Sequence, residues 1–153
     1  RLPWLVYFPG GRPEVTDALV QPADILPTVL ELAEVPESDR PAMDGKSLLP
    51  VMEGETDEVH DYIFTSCHSA RGPGRIEHVP SLINVHSADW VLCTGPQDVW
   101  DPTLHNRTLD PALCENRIHQ NREQAEQMQP ALVEFMQNKG ADTTYIEEYA
   151  TID

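Results

Sequence analysis

His68, Arg71 and Arg75 place three hydrogen-bond donors in one short stretch of a chain with only 10 basic side chains against 26 acidic ones. Donors of that kind suit an anionic group, because a guanidinium fork matches paired oxygens and charged donors bond more strongly than neutral ones. The alternative is a solvated loop in which Arg71-Gly72-Pro73-Gly74 makes a turn and the arginines pair with nearby acids. The six histidines, His60, His68, His78, His86, His105 and His119, show neither H-x-H nor H-E-x-x-H spacing, so no zinc site is read from them. Cys67, Cys93 and Cys114 allow at most one intramolecular disulfide, and no pair has the C-x-x-C spacing of a metal or redox motif; they are read as small buried apolar side chains. No G-x-S-x-G elbow is present, and Gly10-Gly11 lacks the spacing of a nucleotide loop. Asn106-Arg107-Thr108 fits the glycosylation acceptor, a tripeptide that also arises by chance.

The elements that must position these residues follow from periodicity. Trp4 to Phe8 is a continuous apolar run, the pattern of a strand covered on both faces, and Pro9-Gly10-Gly11 ends it. Ile25, Leu26, Val29, Leu30, Leu32 and Ala33 make an apolar stripe at helical spacing with Thr28, Glu31 and Glu34 opposite; Asp24 is placed to cap it and Pro36 to stop it. Ser47 caps a short helix of Leu48, Leu49, Val51 and Met52 that Gly54 closes. From residue 60 the period changes: Tyr62 to Cys67, Leu82 to Val85 and Trp90 to Cys93 read as strands. Arg117 to Lys139 then carries Ile118, Ala125, Met128, Leu132, Phe135 and Met136 near helical spacing. Pro130 predicts a kink or restart near Gln129, and Gly140 closes the helix. Thr143 to Asp153 is an acidic tail that packs on something or frays. The fold class is therefore mixed α/β (α+β), with residues 1–58 as a strand, helix and turn and 59–153 as an antiparallel sheet with a long helix.

A chain of 153 residues with 40% apolar side chains is long enough for one core, and no run reaches the roughly 20 apolar residues of a membrane span. Its formal charge of −16 repels phosphate backbones and anionic lipid surfaces, which argues against nucleic acid and membrane partners. The chain opens on Arg1 and not on Met, which predicts a piece of a longer protein.

Three segments in order, R-L-P-W-L-V-Y-F-P-G at the start, D-I-L-P-T at 24–28 and D-G-K-S-L-L-P at 44–50, resemble the carboxy-terminal part of a type I sulfatase in the alkaline phosphatase superfamily. Val99-Trp100-Asp101 stands where that family has L-Y-D, and Asp110-Pro111 is what remains of its next segment. The resemblance implies one strand-helix unit of a large sheet, followed by a small antiparallel sheet packed by a long helix. It also implies that the family's nucleophile, a cysteine in C-x-P-x-R converted to formylglycine, and its calcium ligands precede this chain. Hence no catalytic residue, metal ligand or cofactor is assigned here; calcium and formylglycine belong to the parent enzyme. Cys67-His68-Ser69-Ala70-Arg71 has the spacing of the formylglycine motif, but Ser69 stands in place of its proline and the segment follows the helix, so it is read as a loop. In the family that loop borders the substrate cleft, where His68, Arg71 and Arg75 would meet a sulfated small molecule or glycan. The partners implied are the missing amino-terminal catalytic region and, through the first strand, a second copy; the compartment implied is periplasmic or extracellular. Two other readings stay open: the same region of a phosphonate or phosphodiester hydrolase, and a noncatalytic acidic interaction module.

Overall fold

The computed structural model describes residues 4–7, 9, 14–67, 82–96 and 100–152. The chain forms two units, Arg1–Asp61 and Tyr62–Asp153.

In the N-terminal unit a 3-10 turn at Pro22–Asp24 leads into helix α1, Ile25–Leu32, and a short helix α2 follows at Leu49–Met52. The unit is organised by a carboxylate. Asp24 is fully buried, and its oxygens accept the Gln21 N–H at 2.8 Å and the Lys46 N–H at 2.9 Å, with His60 Nε2 at 2.9 Å from Oδ1. Thr28 continues the link: its hydroxyl donates to the Asp24 carbonyl at 2.6 Å and accepts the Leu48 N–H at 2.9 Å. Burying such groups costs several kcal/mol unless they are paired, so the sequence separation these bonds span reflects a fixed fold of residues 21–60. The 44–46 turn passes so close to the Pro22–Asp24 turn that a Cβ built on Gly45 would lie 2.0 Å from the Ala23 carbonyl oxygen.

This arrangement corrects the sequence reading of α1. Asp24 makes no side-chain cap to the helix. Pro27 and Thr28 are buried, while Ile25, Leu26, Val29 and Leu32 are exposed. The helix thus turns its hydrogen-bonded edge toward its own unit, and the apolar stripe faces outward. Its end also differs, because the helix stops at Leu32, before Pro36. The Glu34 N–H bonds the Glu31 carbonyl and the Val35 N–H bonds the Leu30 carbonyl, with Glu34 at φ 54 where glycine is usual. For α2 the closing residue is as expected, with Gly54 at φ 77, but the cap is not: the helix begins at Leu49 behind Leu48, which makes no side-chain cap, and the Ser47 hydroxyl one residue earlier accepts the Leu49 N–H at 3.2 Å. Residues 4–7 are not a strand in this structure; Leu5, Val6 and Tyr7 are exposed and pair with no strand among the described residues. Phe8 lies outside the described residues.

The C-terminal unit is a four-stranded antiparallel sheet in the order β1 (Ile63–Cys67), β2 (Leu82–His86), β3 (Trp90–Thr94), β4 (Thr103–Asn106). The register sets Phe64, Val85, Leu92 and Leu104 side by side across all four strands. Helix α3, Arg122–Asn138, lays Ala125, Met128, Leu132 and Met136 on that row, and Phe64 stacks on Phe135 with ring centroids 4.2 Å apart. Each such aliphatic side chain withdrawn from water contributes about 1.5–3 kcal/mol before the entropy of ordering. Pro130 lies inside α3 without a restart: the helix is continuous from 122 to 138, with Pro130 on its exposed side. Gly140 closes it at φ 69.

The last segment packs and does not fray. Helix α4, Thr143–Glu147, is capped by Asp142, which accepts the Thr144 N–H at 2.9 Å. Beyond it Tyr149 and Ile152 are buried in the core cluster. Arg122 Nη2 donates to the Ile152 carbonyl and holds this end against α3. The fourth strand, which no periodicity in the sequence marked, lies at Thr103–Asn106. Its Leu104 N–H and carbonyl are met by Asn116 Oδ1 and the Arg117 N–H, so this segment covers the outer side of β4.

Candidate functional site

The three donors singled out from sequence, His68, Arg71 and Arg75, lie outside the described residues. Their anchor is described: β1 and β2 form an antiparallel pair whose last rung is Cys67 opposite Leu82.

The alternation that puts apolar residues under α3 puts polar ones on the other face. One row across the sheet is Thr65, Asn84, Cys93 and Thr103; the neighbouring row is Ile63, His86, Val91 and His105. The polar members of these rows bond to one another. Asn84 Nδ2 donates to Thr65 Oγ1 at 3.3 Å, and that oxygen lies 3.0 Å from His86 Nε2. With its oxygen accepting from Asn84, the Thr65 hydroxyl is set to donate to Nε2, which requires that nitrogen to be unprotonated. Burial, followed by the charge of Arg107, holds His86 below its ordinary 6.5, in agreement with a neutral ring. On the far side His105 Nε2 lies 3.0 Å from Thr103 Oγ1, while its Nδ1 is buried without a partner among the described residues.

Cys93 sits between these groups, and burial pushes its thiol above the ordinary 9.0, partly offset by a hydrogen bond with Thr103. A thiol held protonated is a poor nucleophile. The face therefore offers neutral donors and acceptors and no activated nucleophile. Sequence reading missed it because its members are spread over four strands. The signal was there in the alternation of Leu82-Ile83-Asn84-Val85-His86, which places two polar side chains on the face opposite Ile83 and Val85.

The remaining candidates have structural posts. His60 is engaged by Asp24, and His119 is exposed. Asn106 is only 7% exposed, and its Oδ1 accepts the Thr108 and Leu109 N–H groups at 3.1 and 2.8 Å. A glycan on that amide has no room, so the tripeptide is a turn device here. Asp110 acts similarly; its carboxylate accepts the Glu115 N–H at 2.7 Å, and this bond holds its carboxyl below the ordinary carboxylate value. Of the cysteines, Cys93 is half-buried but Cys114 is exposed, against the reading of it as a buried side chain. Among the described residues no three His, Cys, Asp or Glu side chains gather as a metal site. No helix among them is long and apolar enough to cross a membrane.

The sheet, the long helix laid on one side of it and the preceding helix-turn unit define a mixed α/β fold that is shared with sulfatases. A sulfatase from a Bacteroides thetaiotaomicron locus for glycosaminoglycan metabolism matches 93% of this chain with 32% of its own, at 22% identity and a TM-score of 0.72. A 2-O GAG sulfatase matches over 85% of this chain and 30% of its own, at 19% identity and a TM-score of 0.60. A protein solved with its substrate D-glucosamine-2-N,6-O-disulfate matches over 81% and 25%, at 20% identity and a TM-score of 0.61. The chain thus spans about a quarter to a third of the length of these proteins. No family model and no curated protein matches it.

Proposed function

We propose that this chain is the carboxy-terminal region of a sulfuric ester hydrolase, which supports the catalytic domain and closes one side of its substrate cleft. The observation that carries the reading is the fold likeness over 93% of the chain to a protein about three times as long. The outward apolar stripe of α1 adds to it, since Ile25, Leu26, Val29 and Leu32 are the surface a larger domain would cover. In this reading the substrate is a sulfated saccharide. The parent enzyme's formylglycine and calcium lie in the region that precedes Arg1, and the chain alone has no turnover. The loop carrying His68, Arg71 and Arg75 supplies donors to the anionic substrate.

The residues encoded before Arg1 test this most directly. A C-x-P-x-R segment with acidic metal ligands is expected, and a Thr nucleophile there would move the chain to the phosphonate and phosphodiester hydrolases. Purified chain should leave aryl sulfates uncleaved with calcium present; appreciable hydrolysis overturns the reading. In the full-length enzyme, changing Arg71 and Arg75 together to Ala should raise KM for sulfated saccharides. An unchanged KM would reduce the loop to scaffold.

A further inference from the structure

The two edges of the four-stranded sheet are finished differently. Backbone bonding alternates along an antiparallel strand, and the Ser87 N–H, donated to the Trp90 carbonyl at 2.9 Å, fixes the phase. Carried through the register, that phase bonds Ile83 and Val85 to β3 and turns Asn84 and His86 to β1. On β1 the residues bonded to β2 therefore include Ile63 and Thr65, while the N–H and C=O groups of Phe64 and Ser66 point away from the sheet. The same phase turns Leu104 of β4 outward, where Asn116 and Arg117 meet it. Phe64 and Ser66 have no such cover: among the described residues nothing bonds their outward groups. Nor does the strand carry the charge or proline that blunts a free edge, since Ile63–Cys67 reads I-F-T-S-C. Thr65 and Ser66 are exposed, and Phe64, stacked on Phe135 at 4.2 Å, is the apolar border on the α3 side.

We infer that a segment of the parent protein preceding Arg1 adds to the outer side of β1 as a further strand of this sheet. The inference rests on the sulfuric ester hydrolase reading, in which most of the protein lies outside this chain. The backbone groups select an extended segment, because a strand presents N–H and C=O groups at the spacing of Phe64 and Ser66. Size selects a tethered one. A single added strand of about five residues buries far less than the roughly 1,200 Å² at which specific complexes of separate proteins begin, whereas a segment of the same polypeptide is held at an effective concentration of about millimolar. Charge argues against a second copy, which would bring another net −16 to the edge. The parent has length for such a segment, since the glycosaminoglycan-locus sulfatase matches this chain with only 32% of its own. The residue set opposite Phe64 lies on the α3 side against the Phe64–Phe135 stack, so it is expected to be apolar.

Hydrogen exchange on this chain and on the full-length protein provides the test. In the chain alone the Phe64 and Ser66 amides should exchange at least about tenfold faster than those of Ile63 and Thr65, and in the full-length protein all should be protected. Ser66→Pro removes an outward N–H, so it should leave the melting temperature of the chain within about 1 °C and lower that of the full-length protein by about 2 °C or more. Thr65→Pro takes a bond from the β1–β2 ladder and should lower both. Protection of Phe64 and Ser66 in the chain alone overturns the inference in favour of cover by the chain's own residues, or of a second copy if the protection grows with concentration. Fast exchange of these two amides in the full-length protein overturns it as well, as does an equal loss from Ser66→Pro in both proteins. The hydrolase reading is judged apart from this, by the sequence before Arg1. A C-x-P-x-R segment there with a bare β1 edge would sink the added strand alone, and a protected edge behind a different nucleophile would sink the hydrolase reading alone.

Discussion

In the C-terminal unit four apolar residues cross the sheet in one row and meet a helix face that matches them, whereas in the N-terminal unit a carboxylate, Asp24, occupies the place withdrawn from solvent. The C-terminal unit encloses this row with its own chain. The N-terminal unit ties three distant segments together by hydrogen bonds and leaves the apolar stripe of α1 outside. The difference teaches that a helix-period stripe says which face is apolar, not whether the same chain covers it. It also separates two kinds of stability. A core resists through many weak contacts, while a polar node depends on every partner being in place.

Leu132→Ala offers the sharpest attack on that contrast, since it opens a cavity in the middle of the C-terminal core; a loss of about 2–5 kcal/mol in urea unfolding is expected. A cost below about 1 kcal/mol would mean that the core is not the closed structure described. Asp24→Ala should come next, at about 2–3 kcal/mol, because it strands buried donors that had an acceptor. Hydrogen exchange should show the Gln21 and Lys46 amides losing protection while those of β2 and β3 keep theirs. Equal loss in both units would erase the distinction between them. A smaller effect belongs to His86. Its folded value is depressed below 6.5, so in the window just under 6.5 the unfolded chain binds more protons than the folded one. Stability is then complete above 6.5 and falls as pH drops through the folded value. His86→Asn should flatten that part of the stability-pH curve, and an unaltered curve would assign the acid loss to other groups. Least of all, Val29→Ser on the outward stripe should change stability by no more than about 0.5 kcal/mol, as exposed sites do. A cost above 2 kcal/mol would place that face under cover.

Much of the fold was legible because its signals are local. Strands 63–67, 82–86 and 90–94 were found within a residue of their ends, and Gly54 and Gly140 marked the helix closures where the backbone turns left-handed. The long helix was found as an element, although it begins at Arg122 and not at Arg117, because Arg117 and Asn116 instead serve the edge of β4. What stayed hidden depended on partners far along the chain. The burial of Thr28 requires Leu48, the role of Asp24 requires Lys46 and His60, and the polar sheet face requires four strands in register. The strand expected at Trp4 to Phe8 shows the same limit from the other side: its composition suits a sheet interior, but no strand among the described residues pairs with it. His68, Arg71 and Arg75 were read from residue types alone, and they lie outside the described residues.

The near approach at Gly45 has a practical corollary. Even an alanine methyl would overlap a peptide carbonyl that cannot retreat without releasing Asp24 from Lys46, so a saturation library at this codon should return a single amino acid among folded clones. That one invariant letter would give distant sequences a fixed point from which to be aligned with this chain.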